Sequence, residues 1–429
     1  MIFDFVRFRS SALFACEASA YGAGGLSVDR APEQKSLYLR PDWSLPFYCH
    51  PVKLFVTAWT LMLIALAFRI SYSSYPSMGL PILLFGISLL SLLCGYQWFG
   101  SSDNDQQAGQ GSSRCMLNVT RLRNLNWVFA IICIAIMLLN LKLDGLPPAF
   151  GLFSFDTKMY LDYGRLKQVL FPLLITIVVN SSLDPSRFRK ILFSLFALLS
   201  MLFYITRGEI LASLLQTFFV FSMTSRLPKK KLLIAAILTV LGMTVIANLI
   251  GNNRTAQEAF LKFLDIRGEF WNWPMIALWV ISYFSIPLSN LCWIVRDFHF
   301  HSITFSFLYQ VLPAFWFPAD PHENILSDSH IVDGVHTYLG NYFMDFSYAG
   351  VLLANIALGA ACALVVRRGR SRHFLTTAVF LACVANIFFN DNFTPLSTLV
   401  QLAIQAFVQR YILTLARERP LRAALRTVA

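Results

Sequence analysis

Read from end to end, the chain alternates between apolar runs of 14 to 21 residues and short breaks that carry its polar and basic residues. A run of about 20 apolar residues is what a helix needs to cross a hydrocarbon core of roughly 30 Å. The pattern predicts spans at Val52–Ser71, Gly79–Phe99, Leu125–Leu143, Lys167–Asn180, Ile191–Ile205, Gly208–Met223, Leu232–Ile250, Tyr348–Val366, Phe374–Phe389 and Leu396–Leu415. The expected fold is therefore all-α and polytopic, with about ten transmembrane helices.

One interval does not fit this rhythm. Residues 251–347 form a connection far longer than the roughly 15 residues at which a loop is usually functional or disordered. Its content argues against disorder: Phe270-Trp271-Asn272-Trp273-Pro274, Trp293 and Phe315-Trp316-Phe317-Pro318 are residues that favour the membrane–water boundary. Two apolar stretches within it, Met275–Val295 and Ile303–Phe317, each contain a proline, Pro287 and Pro313. Both ends of the connection face the same side, so it crosses the bilayer twice or not at all. Re-entrant or interfacial helices are the preferred expectation, and two extra crossings, giving twelve spans, the alternative. The organisation that follows is a tail (1–51), seven spans (52–250), the large outer segment (251–347), three spans (348–415) and a second tail (416–429).

Composition agrees with this. Of 429 residues, 56% are hydrophobic and only 14% charged, where a soluble domain carries about a quarter charged. A mean hydropathy of +0.59 excludes an ordinary soluble protein. The first 50 residues are polar and irregular, so the first span is expected to act as the insertion signal. Eight scattered cysteines without a CxxC read as small core residues rather than a disulfide framework or zinc site.

The net charge of +12 would suit nucleic acid if it lay on one polar domain. Instead, the basic residues sit in clusters between spans, and no nucleic-acid partner is expected. With the N-terminus inside, 25 of the 35 Lys and Arg fall on the inner side. That bias predicts cytoplasmic termini in an inner membrane.

Ionisable residues at membrane depth mark functional sites by default. Thr206-Arg207-Gly208-Glu209 separates two spans by the tightest of turns on the outer side. A guanidinium held there suits pyrophosphate; the alternative is a snorkelling arginine paired with Glu209. Arg165, Arg254 and Arg267 face the same side, where the charge bias should deplete them. Together they suggest a basic site for an anionic lipid-linked substrate. Five of seven histidines fall in the outer connection, at 299, 301, 322, 330 and 336, beside several carboxylates. Their spacing matches no ligand pattern, so no metal or cofactor is expected. One histidine with one carboxylate, as general base and orienter, is the better use; His336 and Asp345 are placed for it.

In their order along the chain these features resemble the O-antigen polymerase (Wzy-type) family of oligosaccharide repeat-unit polymerases. The resemblance is carried by Thr206-Arg207-Gly208 opening a span and by Arg254 just after the next span. A tyrosine-bearing outer segment, Tyr283-Phe284-Ser285-Ile286-Pro287-Leu288-Ser289-Asn290-Leu291, follows. The last element is the entrance Tyr342-Phe343-Met344-Asp345-Phe346-Ser347-Tyr348-Ala349-Gly350, with Ser347 where the family usually has glycine. The resemblance implies transfer of a glycan from undecaprenyl diphosphate onto the next lipid-linked repeat unit. It implies Arg207, Arg254, His336 and Asp345 as catalytic residues. Arg165, Glu209, Arg267, Tyr283, Asn290 and Tyr342 would contact substrate. Partners would be the lipid-linked oligosaccharide, membrane lipid and a chain-length regulator. An O-antigen ligase shares the architecture and donor, and a lipid-linked oligosaccharide flippase is the alternative from another class. Flippases of that kind carry more spans, short loops and charges through the bilayer.

Overall fold

A computed structural model describes residues 36–39, 49–100, 115–147, 166–204, 206–224, 261–262, 264–297, 337–368, 373–388 and 395–415, with 234 and 242 singly. All belong to one compact unit, Ser36–Ala429. The elements are β1 (Ser36–Leu39), α1 (Pro51–Ala67), α2 (Gly79–Gly100), β2 (Cys115–Asn118), α3 (Val119–Asp144), α4 (Lys167–Leu183), α5 (Arg187–Phe203) and α6 (Arg207–Thr224). After these come α7 (Met275–Asp297), α8 (Leu339–Arg368), α9 (Phe374–Ala385), α10 (Leu396–Ile412) and β3 (Leu413–Leu415).

Four helices, α2, α3, α7 and α8, are long and apolar enough to cross a membrane, and α1, α4, α6 and α9 are apolar but shorter. Nine expected spans each meet a helix. The tenth, Leu232–Ile250, lies outside the described residues except at Ile234 and Gly242, and Arg165, Arg254, His336 and the stretch Ile303–Phe317 lie outside them entirely. The outward face of α3, with Val128, Ile131, Ile134 and Leu138 exposed, is a surface that only lipid covers favourably. This is a helical membrane protein.

Local chemistry sets the helix starts. His50 is extended and Pro51 takes the first helical position of α1, where its missing N–H leaves no bond unmade. The Asn118 side chain accepts from the Arg121 backbone N–H at 3.0 Å and caps α3. By contrast α4 is enclosed on every side, buried without a break from Leu170 to Ser181. Helices α3, α5, α6 and α10 pack around it.

The pairing of α2 with α8 rests on small residues. Ser88, Ser91 and Gly95 line the buried face of α2. A Cβ on Gly95 would overlap the Ile356 carbonyl, and one on Gly359 the Leu92 carbonyl, so the two backbones touch. Close approach through small residues is how helices associate in lipid, where burial of apolar area gives no drive.

Three short strands depart from the all-helical expectation. They form one antiparallel sheet in the order β1-β2-β3, with Leu37 opposite Leu117 and Leu117 opposite Leu413. At three or four residues each they lie below the length at which alternation can be read. Their effect is to pin the start of α3 to the end of α10. Arg121 reinforces the join, donating to the Tyr411 carbonyl at 3.1 Å.

Candidate functional site

The sheet marks one end of the bundle. Cys49 and Leu54, at the start of α1, share a buried cluster with Leu117 of β2 and Ile412 of α10. His50 Nε2 lies 3.4 Å from the Tyr96 hydroxyl near the end of α2. The Arg367 guanidinium at the end of α8 donates to the Phe99 carbonyl at 2.8 Å. The end of α1, the start of α2 and the turn within α8 therefore lie at the opposite end.

That opposite end is built around the connection between α1 and α2. Residues 70–72 pair with 265–267: the Tyr72 N–H donates to Asp265 O at 2.9 Å and the Arg267 N–H to Ile70 O at 2.8 Å. The Ser73 hydroxyl adds a bond to Asp265 Oδ2 at 3.1 Å. Further along, Ser289 Oγ accepts from the Tyr75 N–H at 2.8 Å, and Trp293 Nε1 donates to Ser73 O at 2.9 Å. Burial pushes the Tyr75 hydroxyl above its ordinary pKa, with the Cys292 thiol adding to the effect, so it stays a neutral donor.

Both the approach to α7 and its second half are thus bonded to a single loop. From Met275 to Trp293 an α-helix advances about 27 Å, so a crossing helix would carry Trp293 to the far side. Trp293 instead bonds the same loop as the approach to α7, so the two ends of this segment lie at one end of the bundle.

A second device at this end is the break in α8. Ser347 has φ 56° and ψ −146°, non-helical values. On either side the chain folds back: a Cβ on Gly350 would overlap the Tyr342 carbonyl, and the Tyr338 hydroxyl donates to Asn355 Oδ1. Residues 342 and 350 of an unbroken helix would stand about 12 Å apart along its axis. α8 is therefore a hairpin, a short arm (339–346) lying against a long one (348–368). Among the described residues the non-glycine positions with positive φ are Arg69, Asp265 and Ser347. All three lie at this end, and backbone strain of this kind gathers at functional sites.

The structure brings some predicted residues together. Tyr283 and Asn290 are on α7, Tyr342 and Asp345 on the short arm of α8, and α7 packs against α8. Tyr283 stacks on Trp279 at 5.6 Å between ring centroids. Asn290 is buried, and Asp345 is 0% exposed. Arg267 lies over the Tyr72 ring at 5.4 Å and 4.0 Å from Glu269, with its Nε buried and unbonded. Arg207 opens α6 in a different part of the bundle. There the Thr206 N–H and hydroxyl both reach Met201 O, at 3.2 and 3.1 Å, which makes the turn tight. Asn140 Nδ2, near the end of α3, donates to the Tyr204 hydroxyl at 3.1 Å, which places this turn at the same end as α7. Glu209 is half-buried in the first turn of α6, where the helix dipole favours an acid. α6 packs on α4, α5 and α9, and α9 in turn packs on α1.

Sequence reasoning passed over Arg69 and Ser73, because a connection of serines and tyrosines looks like an ordinary loop, and read Asp265 only as a neighbour of Arg267. Its signal was the pair of tyrosines, Tyr72 and Tyr75, at the boundary. Among the described residues no group of three His, Cys, Asp or Glu could hold a metal ion. Comparison of the chain with protein-family models, with curated proteins and with solved structures gives no match.

Proposed function

We propose that the protein polymerises polysaccharide repeat units at the outer face of a bacterial inner membrane, with both termini cytoplasmic. The donor is a glycan on undecaprenyl diphosphate and the acceptor a second lipid-linked unit. The observation that carries this reading is the gathering of strained backbone, aromatic side chains and the buried Asp345 at one end of a membrane bundle. A flippase would instead need its ionisable residues along a path through the bilayer.

In the proposed reaction an acceptor hydroxyl attacks the anomeric carbon of the donor. A glycosidic bond forms, the bond from that carbon to the diphosphate oxygen breaks, and the hydroxyl proton passes to a base. His336 is assigned as that base. Complete burial suits Asp345 to the orienting role, since a sealed carboxylate holds a histidine better than it meets a sugar. The leaving diphosphate gathers negative charge, which Arg207 and Arg254 stabilise, with Arg165 and Arg267 assisting at the entrance. Tyr283, Asn290, Tyr342 and Glu209 are assigned to the sugar and its carrier, and a chain-length regulator is the expected protein partner.

The test is gel electrophoresis of surface polysaccharide from a deletion strain. A single capped repeat unit supports the polymerase. Unattached long polymer would transfer the assignment to a ligase, and lipid-linked units trapped inside would transfer it to a flippase.

A further inference from the structure

Several buried amide atoms far from the proposed site have no hydrogen-bond partner among the described residues. α10 carries three glutamines one turn apart, Gln401, Gln405 and Gln409, all buried. The outer two are satisfied: Gln401 Nε2 donates to Gln216 Oε1 at 2.7 Å, and Gln409 Oε1 accepts from the Leu375 N–H at 3.0 Å. The middle one is half-satisfied. Gln405 Nε2 donates to Thr176 Oγ1 of α4 at 3.3 Å, and its Oε1 is left unbonded. One turn beyond Thr176, Asn180 is 0% exposed with both amide atoms unbonded, and Asn126 of α3 is in the same condition.

The topology brings these groups to within about one helical turn of a common height. α3, α4 and α10 pack on one another. Leu117 pairs with Leu413 in the sheet, so counting nine residues up α3 to Asn126 and eight back along α10 to Gln405 reaches nearly the same height. Thr176 joins that height through its bond to Gln405, and Asn180 is about 6 Å nearer the sheet. An unmet buried amide atom is destabilising, and two complete amides with a third carbonyl are many to leave so within about one turn of each other in height.

We infer that Asn126, Thr176, Asn180 and Gln405 line an internal site that binds water between α3, α4 and α10. The ligand class follows from the unmet atoms. They include NH₂ donors and carbonyl acceptors together, and water supplies both; a buried water typically makes about three such bonds. An alkali cation would meet the oxygens and leave the NH₂ groups as they are. The site stands or falls independently of the proposed reaction.

Two measurements on the full-length protein in nanodiscs test it. The first is thermal unfolding of Asn126→Leu, Asn180→Leu and the double variant. Bound water predicts that each single change lowers the melting temperature by a few degrees and that the double falls short of their sum, since they share the water. If the amides were dry, leucine of similar shape would relieve them, and a rise in both singles overturns the inference. A rise of the native protein's melting temperature specific to sodium or potassium over N-methylglucamine overturns it in favour of a cation. The second is radiolytic labelling in ¹⁸O water, which needs no variant. Leu122, one turn before Asn126, is expected to label several-fold faster than Leu66, both being 0% exposed. Equal rates would also overturn it.

Discussion

Replacing Ser347 by glycine removes a side chain from a backbone conformation that only glycine adopts without strain. At φ 56° and ψ −146° the serine lies outside the left-handed helical well, in a region that is almost the preserve of glycine. Holding another residue there costs about 1–3 kcal/mol. Against this, glycine gives the unfolded chain more freedom, which offsets about 0.4–1 kcal/mol. The net expectation is a gain of roughly 1 kcal/mol for Ser347→Gly. Ser347→Ala should be near neutral, because Cβ and not the hydroxyl is the source of strain. Ser347→Val should be the worst, since a β-branched residue is stiff as well. The assay is thermal unfolding in detergent followed by tryptophan fluorescence, with the variants ranked in one buffer. If Ser347→Gly melts below the native protein while Ser347→Val matches it, position 347 does not turn as described, and the hairpin in α8 is wrong.

Other expectations follow from the packing and the proposed site. Gly359→Leu forces α8 away from Leu92 of α2 and should destabilise by about 1–3 kcal/mol or more, seen as lower recovery of folded protein; Gly86→Leu, with open space at its Cβ, is the matched control. Arg207→Lys should leave little polymer at matched membrane abundance, because an ammonium does not reproduce two parallel bonds to a diphosphate; a full polysaccharide ladder would leave Arg207 as a snorkelling anchor. His336→Ala should reduce polymer by about 10²–10⁴-fold through loss of the base, with Asp345→Asn following it, and near-normal polymer in both would remove the pair from the mechanism. A cysteine placed at Lys230 should resist an impermeant thiol reagent in spheroplasts while one at Asp333 reacts, and the reverse would invert the topology.

Helix positions were legible because apolar runs report directly on the solvent that surrounds them. Gly79–Phe99 was expected and α2 is Gly79–Gly100. The start of α3 was placed six residues late, since Arg121 and Arg123 read as the end of a loop although Asn118 caps the helix before them. The strands were hidden by brevity, β3 having only three residues. For the site, a chain read alone shows that Arg207 and Asp345 stand at helix boundaries. It does not show that the break at Ser347 folds one arm of α8 against the other, nor that Asp265 reaches back 192 positions to Ser73. Those are facts of register between distant segments. The same holds for Asn126 and Asn180, which look like tolerated polar residues within a span and come within about a turn of each other in height only once the sheet fixes the register.

The most direct test of the account supplies purified protein in proteoliposomes with one substrate, a repeat unit on undecaprenyl diphosphate, and resolves the products by length. A polymerase gives a ladder of products differing by whole repeat units, with one undecaprenyl diphosphate released for each linkage formed. Recovery of the repeat unit unchanged, from protein that is folded and inserted, would contradict it.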